Sequence, residues 1–291
     1  MKLLFFFVDG IGLAPASPDN PVNRDVCPFI CDLIEGSSKP IDACLGVEGL
    51  PQSATGQATL FTGRNASQFM GRHVEGFPGP TLRKFVEQDN VFLALKALGK
   101  TSRFADGYMA ETVDELRNRR FRSVTTTAAL TVPEVLSLKA DILANQAVLH
   151  DITRSVIISR GYQGPLVTPQ EAAEHLIQIA LGYDYTLFEY FMTDRAGHSG
   201  SYETAAATLR TLDEFLKNVF PLAEQLGFSI ALTSDHGNIE SLSVKGHTRN
   251  PVPLIARGPC AEPLFKKAES LTDVTPALLT MLSPSPACSK L

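Results

Sequence analysis

The order of apolar and polar residues along this chain predicts buried strands that alternate with helices. Nearly unbroken apolar runs at 2–8 (KLLFFFV), 185–192 and 228–232 are typical of strands buried in a sheet. Residues 203–226 place apolar side chains at helical spacing, which indicates a long helix with one buried face. This order favours an α/β fold built on parallel strands.

Residues 81–108 continue the alternation with a predicted helix, TLRKFVEQDNVFLALKALG, and a short strand, TSRFADGY. The pattern changes between 109 and 167, where we expect a charged helix, a threonine-rich strand and another helix. We interpret this stretch as a small cap or insertion. The predicted organisation is therefore a core in two parts, 1–108 and 168–291, interrupted by residues 109–167.

Four arginines lie close together in the predicted insertion. They could contact an anionic substrate, but a run of charged residues is more often a solvated surface, and we expect the solvated surface here. These residues are Arg117, Arg119, Arg120 and Arg122.

An aspartate stands at the end of each of three predicted strands. Asp9, Asp194 and Asp235 each follow the end of an apolar run within a few residues. Parallel strands bring their carboxyl ends to one edge of a sheet, and ligands bind at that edge. We therefore expect the three carboxylates to meet there.

Histidines accompany these aspartates. His198 lies four residues after Asp194, His236 is adjacent to Asp235, and His247 lies in the same segment as His236. Each pair alone has an ordinary explanation, either a turn or a satisfied surface pair. Together, three aspartates and three histidines are enough for two metal ions, which can clamp the attacking and leaving oxygens of a phosphoryl transfer.

Residues 49–63 (GLPQSATGQATLFTG) form a loop that leads into a short helix, predicted from about Gly56 to Phe61. Ser53 or Thr55 would cap this helix, and a plain cap needs no further role. Alternatively, the positive end of the helix would activate a hydroxyl nucleophile and hold a phosphate. The loop by itself favours a plain cap.

The composition limits the possible functions. The 291-residue chain has a net charge of -5 and no long basic run, which argues against nucleic acid as the main partner and suits a protein that binds cations. The cysteines contain no Cys-x-x-Cys pair, so we expect reduced cytosolic thiols rather than disulfides or a structural zinc site. They are Cys27, Cys31, Cys44, Cys260 and Cys288.

The N-terminal apolar run resembles a signal peptide, but it is shorter than the usual hydrophobic region and ends at Asp9, so we interpret it as a strand. No stretch is long enough to span a bilayer, and we expect a cytoplasmic protein without a membrane partner. The sequence does not indicate the oligomeric state.

Six segments carry a family resemblance: FFFVDGIG, NRDVCPFICDL, QSATGQATLFTG, MTDRAGHSG, TSDHGNIE and GHTRNPVPLIARG. They resemble the ordered motifs of the alkaline phosphatase superfamily, most closely the branch with cofactor-independent phosphoglycerate mutase and phosphopentomutase. The resemblance covers most of the chain apart from residues 109–167. It implies a three-layer α/β/α core around a mostly parallel sheet, with helices on both faces.

The resemblance also implies a role for each candidate residue. Ser53 rather than Thr55 would be the nucleophile, because the family places its Ser or Thr three residues before the glycine that matches Gly56. Attack by Ser53 would give a phosphoserine intermediate, followed by transfer to water or to a second hydroxyl. Thr55 and Gln57 are weaker candidates for substrate contact. The implied metal ligands are Asp9, Ser53, Asp235 and His236 for one ion, and Asp194, His198 and His247 for the other.

Departures from related families bear on the substrate. Residues 109–167 are much shorter than the inserted domain of glycerate mutases and lack its His-x-Asp-Gly-Arg-Asp signature. Gln57 follows Gly56, whereas phosphopentomutases have Thr-Gly-His-Trp. The sulfatase signature, Cys or Ser followed by x-Pro-x-Arg, is absent around Ser53, which makes sulfate esters a less suitable substrate.

We therefore predict a metal-dependent phosphohydrolase that acts on a small-molecule phosphomonoester or phosphodiester. The alternatives are a phosphomutase of the same superfamily and a non-catalytic protein that binds a metal or another ligand. Two divalent metal ions are expected; mixed histidine and aspartate ligands suit Zn or Mn, and Mg is also compatible.

Overall fold

The computed structural model describes residues 1–283 and shows an α/β fold centred on a six-stranded sheet. Across the sheet the strand order is β2-β6-β5-β1-β4-β3. Three neighbouring pairs, β1 with β4, β1 with β5 and β3 with β4, are parallel, whereas β6 is antiparallel to β5 and β2. The predicted mostly parallel sheet is confirmed. The strands are β1 (Leu3–Val8), β2 (Ser38–Ile41), β3 (Ser102–Phe104), β4 (Tyr185–Tyr190), β5 (Ser229–Thr233) and β6 (Val252–Arg257).

Helices connect most of these strands, and short 3₁₀ turns occur at Pro133–Val135 and Gly258–Cys260. The longest helix, α12, corresponds to the amphipathic helix predicted at 203–226. Within the described residues the α-helices are α1 (Pro28–Ser37), α2 (Ser53–Thr62), α3 (Ala66–Met70), α4 (Pro80–Gln88), α5 (Val91–Ala97), α6 (Val113–Arg117), α7 (Val124–Ala129), α8 (Lys139–Leu143), α9 (Ser155–Ile158), α10 (Pro169–Ala180), α11 (Met192–Ser199), α12 (Tyr202–Gln225), α13 (Ala261–Lys267) and α14 (Leu271–Leu282).

Strand β1 separates two layers of apolar core. Its odd-numbered residues at 3–7 pack in one cluster and its even-numbered residues at 4–8 in the other, because successive side chains of a strand point to opposite faces. Helices α2, α4, α5, α7, α13 and α14 contribute to the first cluster, and α1, α10 and α12 to the second. The result is the expected α/β/α arrangement.

The single helix predicted over 81–99 is wrong, because the chain forms two helices there, α4 and α5. Asp89, between them, has an extended backbone. The side chain of Asn90 accepts hydrogen bonds from the backbone N–H groups of Phe92 (3.0 Å) and Leu93 (3.2 Å), which caps the start of α5. A favourable N-cap inside the apolar pattern thus starts a new helix.

The threonine-rich strand expected in the insertion is also wrong, because residues 124–129 form helix α7. The Ser123 hydroxyl accepts a hydrogen bond from the N–H of Thr126 at 3.0 Å, which caps this helix. All six residues of α7 are buried. Capping and burial therefore override the preference of threonine for strands.

Residues 109–167 belong partly to the main core and partly to a small cluster of their own. Helix α7 packs in the first core cluster, whereas Ile142, Ala147, Leu149 and Ile157 form a separate apolar group. The division of the chain at 109 and 167 stays a prediction.

The described cysteines, Cys27, Cys31, Cys44 and Cys260, form no disulfide with one another, and Cys288 lies outside the described residues. Between residues 1 and 283, no helix combines the length and apolar character needed to cross a membrane.

Candidate active site

The parallel strands bring the predicted aspartates to one edge of the sheet. Asp9 directly follows β1, Asp235 follows β5 by two residues, and Asp194 lies in the first turn of α11, which follows β4. The Thr193 hydroxyl donates a hydrogen bond to the carbonyl oxygen of Asp9 at 2.5 Å, which joins two of these segments. The expected meeting of the three carboxylates is therefore observed.

Ser53 is the first residue of α2, and the N-cap position belongs to Gln52, whose side chain makes no capping bond. The prediction that Ser53 or Thr55 caps this helix is therefore wrong. The Oγ atom of Ser53 instead lies 2.9 Å from Nε2 of His236. Thr55 is buried and its hydroxyl accepts a bond from the N–H of Val74 at 3.1 Å, which ties α2 to the loop that contains Val74. Its role in substrate contact stays a prediction.

The first group of candidate ligands converges on His236. Its Nε2 atom lies 3.3 Å from Oδ1 of Asp9 and 3.5 Å from Oδ2 of Asp235, in addition to the contact with Ser53. One ring nitrogen cannot hydrogen-bond three oxygens at once, and Oδ1 of Asp9 is buried without a hydrogen-bond partner. A divalent cation fits this set of converging donors.

The second group converges on Asp194. Its carboxylate oxygens lie 3.4 Å from Nε2 of His198 and 3.4 Å from Nε2 of His247, and the two ring nitrogens are 3.2 Å apart. Nδ1 of His247 contacts the carbonyl oxygen of Pro51 at 2.8 Å, which leaves Nε2 free to bind a cation. Asp194 is also close to Asp9 and His236, so it belongs to both groups rather than to the second alone.

Burial and crowding of like charges change the acidity of the site. Burial, with the charges of Asp235 and Asp194, raises the pKa of Asp9 well above its usual value. Burial and Asp194 raise the pKa of Asp235 to about 7, and burial with His247 lowers the pKa of His236 to about 3. Although burial opposes it, hydrogen bonding with His247 lowers the pKa of Asp194 to about 2. A bound cation would therefore stabilise the ionised forms of these carboxyl groups.

Neighbouring side chains hold the candidate ligands in place. The Gln57 amide donates to Oδ2 of Asp9 at 3.1 Å and to Oδ2 of Asp235 at 3.3 Å. The Asn238 amide donates to Oδ1 of Asp194 at 2.6 Å. Gln57, a candidate for substrate contact, thus orients two carboxylates, and it also lines the adjacent cavity.

Glu240 is a buried residue of the site that sequence analysis missed. One carboxylate oxygen accepts bonds from the N–H groups of Gly12 and Asn238, and the other accepts from the Thr248 hydroxyl and the Asn250 amide. These residues lie in the segments after β1, after β5 and around His247. The sequence could have indicated Glu240 through its position in the motif TSDHGNIE, two residues after Asn238.

A cavity of about 290 Å³ opens beside Ser53, Asp9 and Asp194. Two further buried acids line it, Asp106 and Glu189, and burial raises the pKa of Glu189 to about 7. Asp106 follows β3 by two residues, so the strand-end rule that identified the other aspartates would have found it. Glu189 was overlooked because it is an isolated acid in the apolar strand β4.

The fold resembles those of a solved alkaline phosphatase and a solved phosphoglycerate mutase. A cold-active alkaline phosphatase from Shewanella sp. aligns with 98% of this chain and 100% of its own at a TM-score of 0.60 and 14% identity. A phosphoglycerate mutase from Leishmania mexicana aligns with 99% of this chain and 96% of its own at a TM-score of 0.53 and 10% identity. At these identities the similarity shows the fold alone.

Similarity in sequence to curated proteins is local. A 2,3-bisphosphoglycerate-independent phosphoglycerate mutase from Cereibacter sphaeroides is 33% identical over 127 residues, which is 40% of this chain and 25% of the mutase. The corresponding enzyme from Vibrio parahaemolyticus is 33% identical over 126 residues, 40% of this chain and 24% of the mutase. The matched part is thus about a quarter of each relative.

The family comparison covers far more of the chain. The Metalloenzyme superfamily matches residues 1–285, which include every candidate ligand described above. This match agrees with the alkaline phosphatase-like fold and with the local similarity to phosphoglycerate mutases. The chain therefore belongs to the Metalloenzyme superfamily.

Proposed function

We propose that this protein transfers phosphoryl groups from a small-molecule phosphate ester, with Ser53 as the nucleophile. Membership of the Metalloenzyme superfamily, together with structural similarity to an alkaline phosphatase and a phosphoglycerate mutase, supports metal-dependent phosphoryl transfer. The observation that carries the proposal is the 2.9 Å contact between Ser53 Oγ and His236 Nε2, because it brings a hydroxyl within hydrogen-bond distance of a candidate metal ligand.

Each part of the site has a proposed role. Asp9, Ser53, Asp235 and His236 would hold one divalent cation, while Asp194, His198 and His247 would hold a second, with Asp194 close to both. Bound cations would lower the pKa of the serine hydroxyl and offset the charge of the phosphoryl oxygens. Zn or Mn suits these mixed ligands, and Mg is also compatible.

The chain's own residues then perform the transfer. The N–H groups of Ser53 and Ala54, the first two residues of α2, would bind phosphoryl oxygens, because the N–H of Thr55 already donates to the carbonyl oxygen of Val74. Nε2 of His236 would exchange its contact with the Ser53 hydroxyl for the cation that both residues are proposed to hold. Ser53 loses its proton to water and forms a bond to phosphorus, while the ester oxygen leaves with its bonding electrons and takes a proton from water. The phosphoserine then gives its phosphoryl group to an acceptor.

Two acceptors are considered, a second hydroxyl and water. The curated relatives are named phosphoglycerate mutases, which supports transfer to a hydroxyl, and we give a phosphomutase as the first candidate. A phosphohydrolase is the second, because the side chain of His198 is 47% exposed and water can therefore reach this end of the site. The presence of a hydroxyl and the full set of ligands counts against a non-catalytic binding protein.

The experiment follows phosphorus by ³¹P NMR. Sugar phosphates, p-nitrophenyl phosphate and bis-p-nitrophenyl phosphate are incubated with the protein and Zn, Mn or Mg, and Ser53→Ala serves as the control. Migration of phosphate between hydroxyls identifies a mutase, and release of inorganic phosphate identifies a hydrolase. Mass spectrometry of the peptide that contains Ser53 detects the phosphoserine. Full activity of Ser53→Ala would exclude the proposed nucleophile.

A further inference from the structure

The cavity at Ser53 continues into a larger space beside residues 109–167. This second space, of about 440 Å³, shares Phe77, Tyr108, His150 and Phe191 with the cavity that contains Ser53. We call it the outer chamber. Its volume is within the range of about 300 to 1,000 Å³ that is usual for ligand pockets, and it lies next to the reacting group. The outer chamber is therefore placed to hold the part of the substrate that is not transferred.

Aromatic rings line the outer chamber. Phe77 and Phe121 are 54% and 59% exposed, and their ring centroids are 5.5 Å apart. His150 stacks on Phe191 with centroids 4.5 Å apart and an angle of 15° between the planes. Burial lowers the pKa of His150, which favours its uncharged ring. Two pairs of flat side chains thus offer stacking surfaces for a planar group.

Arginines give the same space a positive charge. Arg119, Arg122 and Arg160 line the outer chamber, and Arg195 lines the cavity at Ser53. In residues 1–283 the arginine ion pairs involve other arginines, so these four guanidinium groups have no carboxylate partner there. Unpaired guanidinium groups suit phosphate or carboxylate oxygens, and they also stack on planar rings.

The placement of Arg119 and Arg122 changes the interpretation of the arginine run. Arg117 pairs with Asp114 at 2.9 Å on the surface, as expected for a solvated face. Arg119 lies over the ring of Tyr108, with its central carbon 5.8 Å from the ring centroid. The guanidinium group of Arg122 donates a hydrogen bond to the carbonyl oxygen of Arg117 at 3.2 Å, so its side chain extends back toward the end of α6. Two members of the run therefore line the outer chamber, and Arg119 is also exposed, as expected for a solvated face.

We propose that the outer chamber binds the alcohol part of the substrate, and that this part carries a planar ring and a second anionic group, as in a nucleoside bisphosphate. The ring stacks against the aromatic pairs, and the arginines bind the anionic group that is not transferred. This proposal rests on the proposed phosphoryl transfer at Ser53.

Two matched pairs of probes test the proposal by isothermal titration calorimetry on the Mn-loaded Ser53→Ala protein. Adenosine 5′-monophosphate and ribose 5-phosphate differ in the base, and we expect the nucleotide to bind roughly tenfold more tightly. Adenosine 3′,5′-bisphosphate and adenosine 5′-monophosphate differ in one phosphate, and we expect a further gain of roughly tenfold. Equal affinities within both pairs would overturn the proposal.

Further substitutions, again in the Ser53→Ala background, test which side chains cause the preference for the nucleotide over ribose phosphate. The double change Phe77→Ala and Phe121→Ala should reduce the ratio between nucleotide and ribose phosphate toward one. Phe69→Ala removes a phenylalanine of the same 54% exposure outside the chamber and should leave the ratio unchanged. Because these phenylalanines are exposed, we expect the variants to fold. An unchanged ratio in the double variant would contradict the aromatic contact.

The arginines have an equivalent test. Arg119→Ala with Arg160→Ala should reduce the preference for the bisphosphate over the monophosphate, whereas the exposed Arg210→Ala on α12 should not. An unchanged preference in the double variant would contradict the anionic contact.

Activity of the unsubstituted protein separates this proposal from the one on which it rests. Turnover of ribose 5-phosphate as efficient as that of the nucleotides would overturn the ring preference and leave phosphoryl transfer intact. Selective binding of nucleotides without turnover of any phosphate ester would overturn the proposed function and leave the binding preference intact.

Discussion

The carboxylate of Glu240 accepts a hydrogen bond from the backbone N–H of Gly12 at 2.9 Å. Glu240 is 1% exposed, and its other bonds reach the segments after β5 and around His247. One buried carboxylate therefore holds together three segments that carry candidate ligands, although it contacts none of those ligands through a hydrogen bond in the described structure.

Replacement of Glu240 by glutamine should loosen all three segments. The amide NH₂ of glutamine cannot accept hydrogen bonds, so two buried donors lose their acceptor, and we expect the free energy of unfolding to fall by about 2 kcal/mol or more. Urea denaturation of the metal-free protein measures the change. The exposed Glu87→Gln on α4 is the control and should be neutral. Equal stability of the two variants would show that the network contributes little.

Gly56 is a second position where packing restricts the chain. A Cβ atom there would lie 2.8 Å from the carbonyl oxygen of Asp235, so Gly56→Ala should force α2 away from this segment and cost about 1 to 3 kcal/mol. Gly36→Ala is a matched control, because its Cβ would meet nothing within 4 Å and helix α1 should gain about 0.5 to 1 kcal/mol. In thermal unfolding, the melting temperature should fall for Gly56→Ala and rise for Gly36→Ala.

Removal of Asp194 should affect metal binding more than removal of His198. Asp194 lies close to both groups of ligands, whereas His198 belongs to one. After dialysis against a low concentration of Mn, mass spectrometry of the metal content should find less Mn in Asp194→Asn than in His198→Ala. Asp89→Asn, an exposed change outside the site, should retain the content of the unsubstituted protein. Equal losses in the first two variants would argue against the double role of Asp194.

Metal binding should release protons near neutral pH. The metal-free site raises the pKa of Asp235 to about 7 and that of Asp9 well above its usual value, so part of the protein carries protons there that a cation must displace. Affinity for Mn should therefore fall as the pH decreases below about 7. Calorimetric titration in buffers with different enthalpies of ionisation measures the release. An observed enthalpy that is the same in every buffer at pH 6.5 would contradict it.

The sequence predicts the sheet edge well because its signals are local. Asp9 and Asp235 follow nearly unbroken apolar runs, and such runs can be recognised without knowledge of distant contacts. Parallel pairing of β1 with β4 and β5 then brings these residues together. The same reasoning would extend to Asp106, which follows the short strand β3.

Other features depend on contacts between segments that are distant in the sequence. Glu240 is recognisable as a bridging residue only when Gly12, 228 residues earlier, is placed beside it. His150 lies in a stretch without strong periodicity, and only the fold shows that its ring stacks on Phe191. The helix at 124–129 likewise depends on burial that the threonines do not reveal.

The close approach of Gly56 to Asp235 restricts sequence change at the edge that carries the candidate ligands, whereas Phe77 and Phe121 are exposed and we expect them to tolerate replacement. Natural selection can therefore alter the residues that surround the outer chamber without rebuilding the ligand positions. We therefore expect the substrate range to differ more among relatives than the reaction does. Exchange of residues 109–167 between two relatives should transfer the substrate preference of one to the other.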